Sequence, residues 1–149
     1  MRFTRFMRAS VVGAALAIVL GLGTVVATAN NGRDFSGYFD VSNVQKQGEL
    51  VQVTLRLQLF NHGNEDEKSV VVTLLDTSPS MTMRGSFAPV KVWKHQQRLN
   101  LSQQFSVSQR EYAEWMAAPG QPNIVILFQD AKGNTWQRGA QISRRPLVQ

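Results

Sequence analysis

The sequence predicts an all-β fold, an antiparallel seven-stranded sandwich with one short connecting helix, preceded by an N-terminal signal helix. Three observations lead there. From Tyr38 onward apolar residues recur with period two over most segments, the alternation of strands that bury one face. Breaks rich in Gly, Pro and Asn separate these segments at short intervals. The first 29 residues differ in composition from everything after them.

Those residues read as an export signal. Met1–Arg8 carries Arg2, Arg5 and Arg8 and no acid, an apolar run covers Ala9–Val26, and Ala27-Thr28-Ala29 supplies small residues before the polar Asn30-Asn31. A charged start, an apolar stretch and an A-x-A site define a secretory leader, 1–29, with a single domain at 30–149. The alternative is an uncleaved anchor, since Ala9–Ala29 is long enough to span a bilayer. Gly21 and Gly23 weaken that helix just ahead of the cleavage motif. In both cases the arginines stay on the cytoplasmic side and the domain is expected outside, secreted or periplasmic. Membrane contact is then confined to an uncleaved N-terminal segment. The arginines are not adjacent, so there is no twin-arginine signal, and no cysteine marks the cleavage point for lipid.

The elements follow in order. Tyr38–Val44 is expected as a strand, then Gln47-Gly48 turns the chain. In Glu49–Phe60, Val51, Val53, Leu55, Leu57 and Leu59 alternate with Gln52, Thr54, Arg56, Gln58 and Phe60. Asn61–Lys68 is a polar turn, and Ser69–Asp76 is apolar on both parities, as a central strand is. Gly85 and Pro89 interrupt Met81–Trp93, which marks an edge. Arg98–Ser108 alternates through Leu99, Leu101, Phe105 and Val107, with Gln103 out of pattern. Ser108-Gln109-Arg110-Glu111 has the form of a capping box, followed by a stripe of Tyr112, Trp115 and Met116 and a stop at Pro119-Gly120. Asn123–Gln129 is a second doubly apolar strand. Asp130–Asn134 is a hairpin turn, and Thr135–Ser143 is one returning strand with Gly139 as a bulge.

About seven short strands and a helix ahead of the penultimate one resemble the immunoglobulin/fibronectin-III-like superfold, over residues 35–145. The chain departs from the antibody pattern: Ser69–Asp76 contains no Trp, and there is no Cys pair. Such a resemblance implies a scaffold and no activity.

Composition excludes whole classes of chemistry. The chain has no cysteine, so thiol catalysis, thiolate zinc sites and disulfide scaffolding are absent. Three of its 16 basic residues lie in the leader, and the charge of +6 falls to +3 without them. That mild, dispersed balance argues against nucleic acid as a partner.

Candidate sites are few. His62 and His95 neighbour no nucleophile motif, so turnover is not expected. The loop Asn61–Glu67 is oxygen-rich but lacks calcium-loop spacing. Met81-Thr82-Met83 could offer thioethers to Cu(I) beside His62 or His95, although methionines at strand spacing ordinarily fill core edges. Trp93, between Lys91 and Lys94, is the aromatic best placed for an exposed platform, while Tyr112, Trp115 and Trp136 are expected inside. Asn100-Leu101-Ser102 matches a glycosylation sequon. The expectation is an exported, non-catalytic module for a protein partner, without a cofactor or a resident metal. Its contact surface is Met81–Gln97, with Met81, Met83, Phe87, Trp93 and His95 as binding residues; a carbohydrate or copper module is the alternative.

Overall fold

The computed structural model describes residues 35–76 and 82–147. The leader, 1–29, and Met81 lie outside them. β1 (Phe35–Gln47) and β2 (Leu50–Asn61) form a hairpin whose tight turn puts Gly48 at φ +66°, a conformation that suits a residue without a Cβ. Along β2 the expected alternation holds: Val51, Val53, Leu55, Leu57 and Leu59 are each at most 1% exposed, and the residues between them are half-buried on the outer face. β3 (Glu67–Leu75) buries Val70, Val72 and Leu74 and leaves Val71 and Thr73 half-exposed, so it is central with one fully covered face.

The interrupted segment becomes two edge strands, β4 (Met83–Ser86) and β5 (Val90–Trp93), both paired antiparallel to β3. β6 (Arg98–Ser108) runs antiparallel to β2 with unbroken register from Phe60↔Arg98 to Leu50↔Ser108. After helix α1 (Gln109–Met116) come β7 (Asn123–Gln129) and β8 (Thr135–Gly139), then β9 (Gln141–Arg144). The strands form two sheets, β6-β2-β1-β9 and β4-β3-β7-β8, with β5 also on β3. No helix among the described residues is long and apolar enough to cross a membrane.

The described residues thus hold nine strands where seven were expected. One extra strand comes from the split edge, the other from the final segment. Thr135–Ser143 is not one strand. At Gly139–Ala140 the chain leaves the second sheet and re-enters the first as β9, parallel to β1. Gln121 holds that crossing: its amide nitrogen donates to the Ala140 carbonyl (3.0 Å), and its oxygen accepts from Ile142 N (3.2 Å).

Between the sheets lies one core. Phe35 stacks on Trp93 at 5.0 Å and meets Phe128 edge-on at 5.2 Å, and Phe87 meets Phe105 at the opposite end. Fully burying one such side chain stabilises by about 2–3 kcal/mol, which is why the packing holds without disulfides.

The capping box forms as its residues dictate. Ser108 Oγ accepts from Glu111 N at 3.0 Å, and Glu111 Oε1 accepts from Ser108 N at 2.9 Å. Glu111 is also fully buried and receives both Nη2 (2.9 Å) and Nε (3.3 Å) of Arg84. One carboxylate therefore starts the helix and ties it to β4. Glu111→Ala should cost about 2 kcal/mol in urea unfolding, because it leaves the Ser108 cap amide unpaired and Arg84 with Asp76 (3.2 Å) as its remaining carboxylate; a loss below about 0.5 kcal/mol would contradict that role.

Asp130 organises the β7–β8 turn. Its Oδ1 accepts from Lys132 N and Asn134 N, each at 2.9 Å, and Oδ2 from Trp136 Nε1 at 2.9 Å. Burial alone raises its pKa, but the bonds from Trp136, Asn134 and Lys132 outweigh that and hold it below the ordinary 3.8. A depressed folded pKa adds stability above the unfolded value, lost as pH falls through the folded one. Melting curves of Asp130→Asn should lose the part of the wild type's acid sensitivity that lies below pH 3.8; an unchanged acid limb would show that the turn does not depend on the charge.

Candidate functional site

The structure redistributes the residues expected to bind. Trp93 is not an exposed platform. It is 2% exposed, stacked on Phe35, with Nε1 donating to the Gln97 carbonyl at 3.0 Å. The local pattern explains this: Val92 and Trp93 alternate, and Trp93 takes the inner parity opposite Glu67. Phe87 is equally buried, packed on Phe105, so it is core too. Met83 is 57% exposed at the β4 edge, and Val92 is exposed on β5.

His95 sits far from Met83. Met83 pairs with Leu75 and Trp93 pairs with Glu67, at opposite ends of β3. Eight residues of strand separate those positions by about 26 Å. His62 lies at the Glu67 end as well, since its carbonyl accepts from Gln96 at 3.1 Å. Met83 is therefore not assembled with either imidazole into a copper site, and Met81 lies outside the described residues. Among the described residues no group of three or more His, Cys, Asp or Glu could hold a metal ion. His95 Nδ1 instead contacts Asp66 Oδ1 at 2.6 Å, and these bonds keep the Asp66 carboxyl below its usual 3.8.

The oxygen-rich loop is spent on itself. Asn61 Oδ1 accepts from Gly63 N, Asn61 Nδ2 donates to the Glu65 carbonyl, and Glu65 Oε1 accepts from Ala131 N. These oxygens accept from separate backbone or side-chain donors of the chain, where calcium would require them to converge on one point.

A different region has the shape of a site. On the outer face of the first sheet lies an open groove of about 450 Å³. Register places the side chains that line it, and Asn100 beside them, in two ranks across the strands. One rank runs Arg98, Phe60, Ser36, Gln141; the next runs Asn100, Gln58, Tyr38, Ser143. Its floor is backbone at Gly37, where a Cβ would lie 2.0 Å from the Gln58 carbonyl oxygen, so no larger residue fits unless the strands move apart.

The polar groups of the groove hold one another in place. Ser36 Oγ and His62 Nε2 are 2.6 Å apart, the Phe60 ring meets the His62 ring edge-on at 4.7 Å, and Gln58 Nε2 donates to Asn100 Oδ1 at 3.2 Å. The Arg145 guanidinium lies over the Tyr38 ring at 3.9 Å. It is positioned by the crossing that made β9, with Arg145 N donating to the Phe39 carbonyl.

Of these residues the sequence marks two, and neither as part of a groove: Asn100 as the start of a sequon, and His62 as a turn residue, a candidate base without a nucleophile motif, or a copper ligand. The one legible signal was Phe60, an aromatic on the solvent parity of a strand whose other outward residues are polar. The rest depends on β9 joining β1, which no local pattern reveals.

No family model and no curated protein matches the chain. Among solved structures it is similar to an inactive mutant of a GH20 exo β-N-acetylglucosaminidase from Vibrio harveyi, with a TM-score of 0.48 and 12% identity. The match covers 77% of this chain and 19% of that one, and at this level it carries no argument about activity.

The separation of Met83 from both histidines sets an expectation. Cu(I) titrations of Met83→Leu and His95→Ala should match wild type within twofold. A loss of tenfold or more in both variants would require the two ends of β3 to meet.

Proposed function

We propose that this chain is an exported accessory domain of the cell envelope that works by docking a protein partner, and that the partner adds a strand along the free edge of β6. The arginine-led apolar leader supports export. The neighbour sets β6-β2-β1 and β3-β7-β8 support the immunoglobulin-like reading, in which the first, second and fifth strands share one sheet and the third, sixth and seventh the other.

The contrast between the sheet edges carries the choice of β6. β8 and β9 are short, and the β4–β5 edge is broken into four-residue strands by Pro89 with Lys91 beyond it. Those are the devices that blunt an edge against pairing. β6 has none: its eleven residues hold register without a bulge, and no charge or proline lies between Arg98 and Arg110. Its inner-face Leu99 and Leu101 are only partly buried, and an added strand would cover them. The Met83–Trp93 region keeps its exposed Met83 and Val92, but its Phe87 and Arg84 serve the core and the helix, so removing 82–89 would damage the fold itself.

The test is capture of partners from the native envelope. Leu101→Lys should melt within a few degrees of wild type and recover at least tenfold less partner, while Val92→Lys on the β5 edge recovers the wild-type amount. Loss with Val92→Lys and retention with Leu101→Lys would return the docking surface to the β4–β5 edge.

A further inference from the structure

The groove on the outer face of the first sheet uses β6 side chains rather than its edge backbone, so it is independent of strand docking. We propose that it is a binding site for an acidic saccharide, a short run of sugar rings bearing a carboxylate or sulfate.

Charge is the first argument. None of the eleven groove-lining residues is acidic, whereas Arg98 lines it and Arg145 flanks it over Tyr38. The carboxylate in the adjoining rank, Asp40, is engaged by Arg56 Nη2 at 3.1 Å. The groove therefore presents guanidinium groups without a compensating acid, and guanidinium matches a planar carboxylate or a sulfate through paired N–H donors.

Hydrogen-bonding character is the second. Between the arginines the ranks offer the amides of Gln58, Asn100 and Gln141 and the hydroxyls of Ser36 and Ser143. Amides and hydroxyls both donate and accept, as a polyol requires, while a simple anion uses donors alone. Shape is the third. Strands about 4.8 Å apart and ranks two residues apart make a patch of roughly 14 Å by 7 Å, the footprint of a di- or trisaccharide. Half-exposed Phe60 lies within it and provides an apolar surface for ring C–H groups. A flat, amide-lined face with one aromatic and guanidinium flanks suits rings that carry both hydroxyls and charge.

Isothermal titration of the purified protein with a galacturonic acid trisaccharide, maltotriose and a triglutamate peptide tests this. Saturable binding of the acidic sugar, with maltotriose at least tenfold weaker and triglutamate weaker still, is expected. Arg98→Gln should weaken the acidic sugar about tenfold, the loss of one charge-assisted hydrogen bond. Phe60→Ala should weaken both sugars. Lys91→Gln, on the other sheet, should change neither. The proposal is overturned by no saturable binding of the acidic sugar, or by equal binding of maltotriose. Triglutamate matching the acidic sugar would make this a peptide site, and an equal loss in Lys91→Gln would reduce the effect to bulk charge; either also overturns it.

Discussion

Everything on the outer surface of the first sheet depends on five side chains that never see it. Val51, Val53, Leu55, Leu57 and Leu59 fill the inner face of β2. Because strand side chains alternate, a slip of one residue would expose all five and bury Gln52, Thr54, Arg56, Gln58 and Phe60 in their place. Each buried leucine or valine contributes about 2 kcal/mol, so the penalty for slippage is of the order of a domain's whole stability, about 5–15 kcal/mol. The hydrophobic face thereby sets which polar residues stand opposite one another across β6, β2, β1 and β9. The ranks of the groove are a by-product of core packing.

The two sheets meet the surrounding solvent differently. The second sheet breaks its outer edge into β4 and β5 and anchors β4 to the helix through Arg84 and Glu111. Because that ion pair is buried on the glutamate side, it specifies where the helix starts more than it adds net stability. The first sheet keeps a long edge at β6 that carries no charge beyond Arg98, and closes its other side with the short parallel β9. One flank is thus guarded and the other open, within a domain that has no disulfide to limit its movements.

Much of this was legible in the residues. Period two located β2 and β6, continuous apolar runs located β3 and β7, the Ser108–Glu111 box located the helix, and Asp130–Asn134 located the hairpin, because each is a local signal read within a few residues. Two of the expected binding residues, Trp93 and Phe87, lie in the core instead, and for Trp93 the reason is physical. Trp93 lies beside two lysines in the chain, and local charge suggested exposure, yet the single step of alternation from Val92 turns it inward onto Phe35. Met83 and His95 are twelve residues apart in sequence, but β4 and β5 pair with opposite ends of β3. The groove was hidden for a third reason: its ranks join β1, β2, β6 and β9, and the crossing at Gly139–Ala140 that brings β9 over is fixed by Gln121, nearly twenty residues earlier in the chain. Contacts of that span leave no periodic trace.

Strand pairing in the first sheet is therefore the point on which the account turns, and cross-strand nuclear Overhauser contacts in isotopically labelled protein measure it directly. The account predicts Tyr38 opposite Gln58, Gln58 opposite Asn100, and Ile142 running parallel beside Gly37. Contacts that continue β8 through residues 141–144 within the second sheet, or that shift β1 by one residue against β2, would contradict it and dissolve the groove.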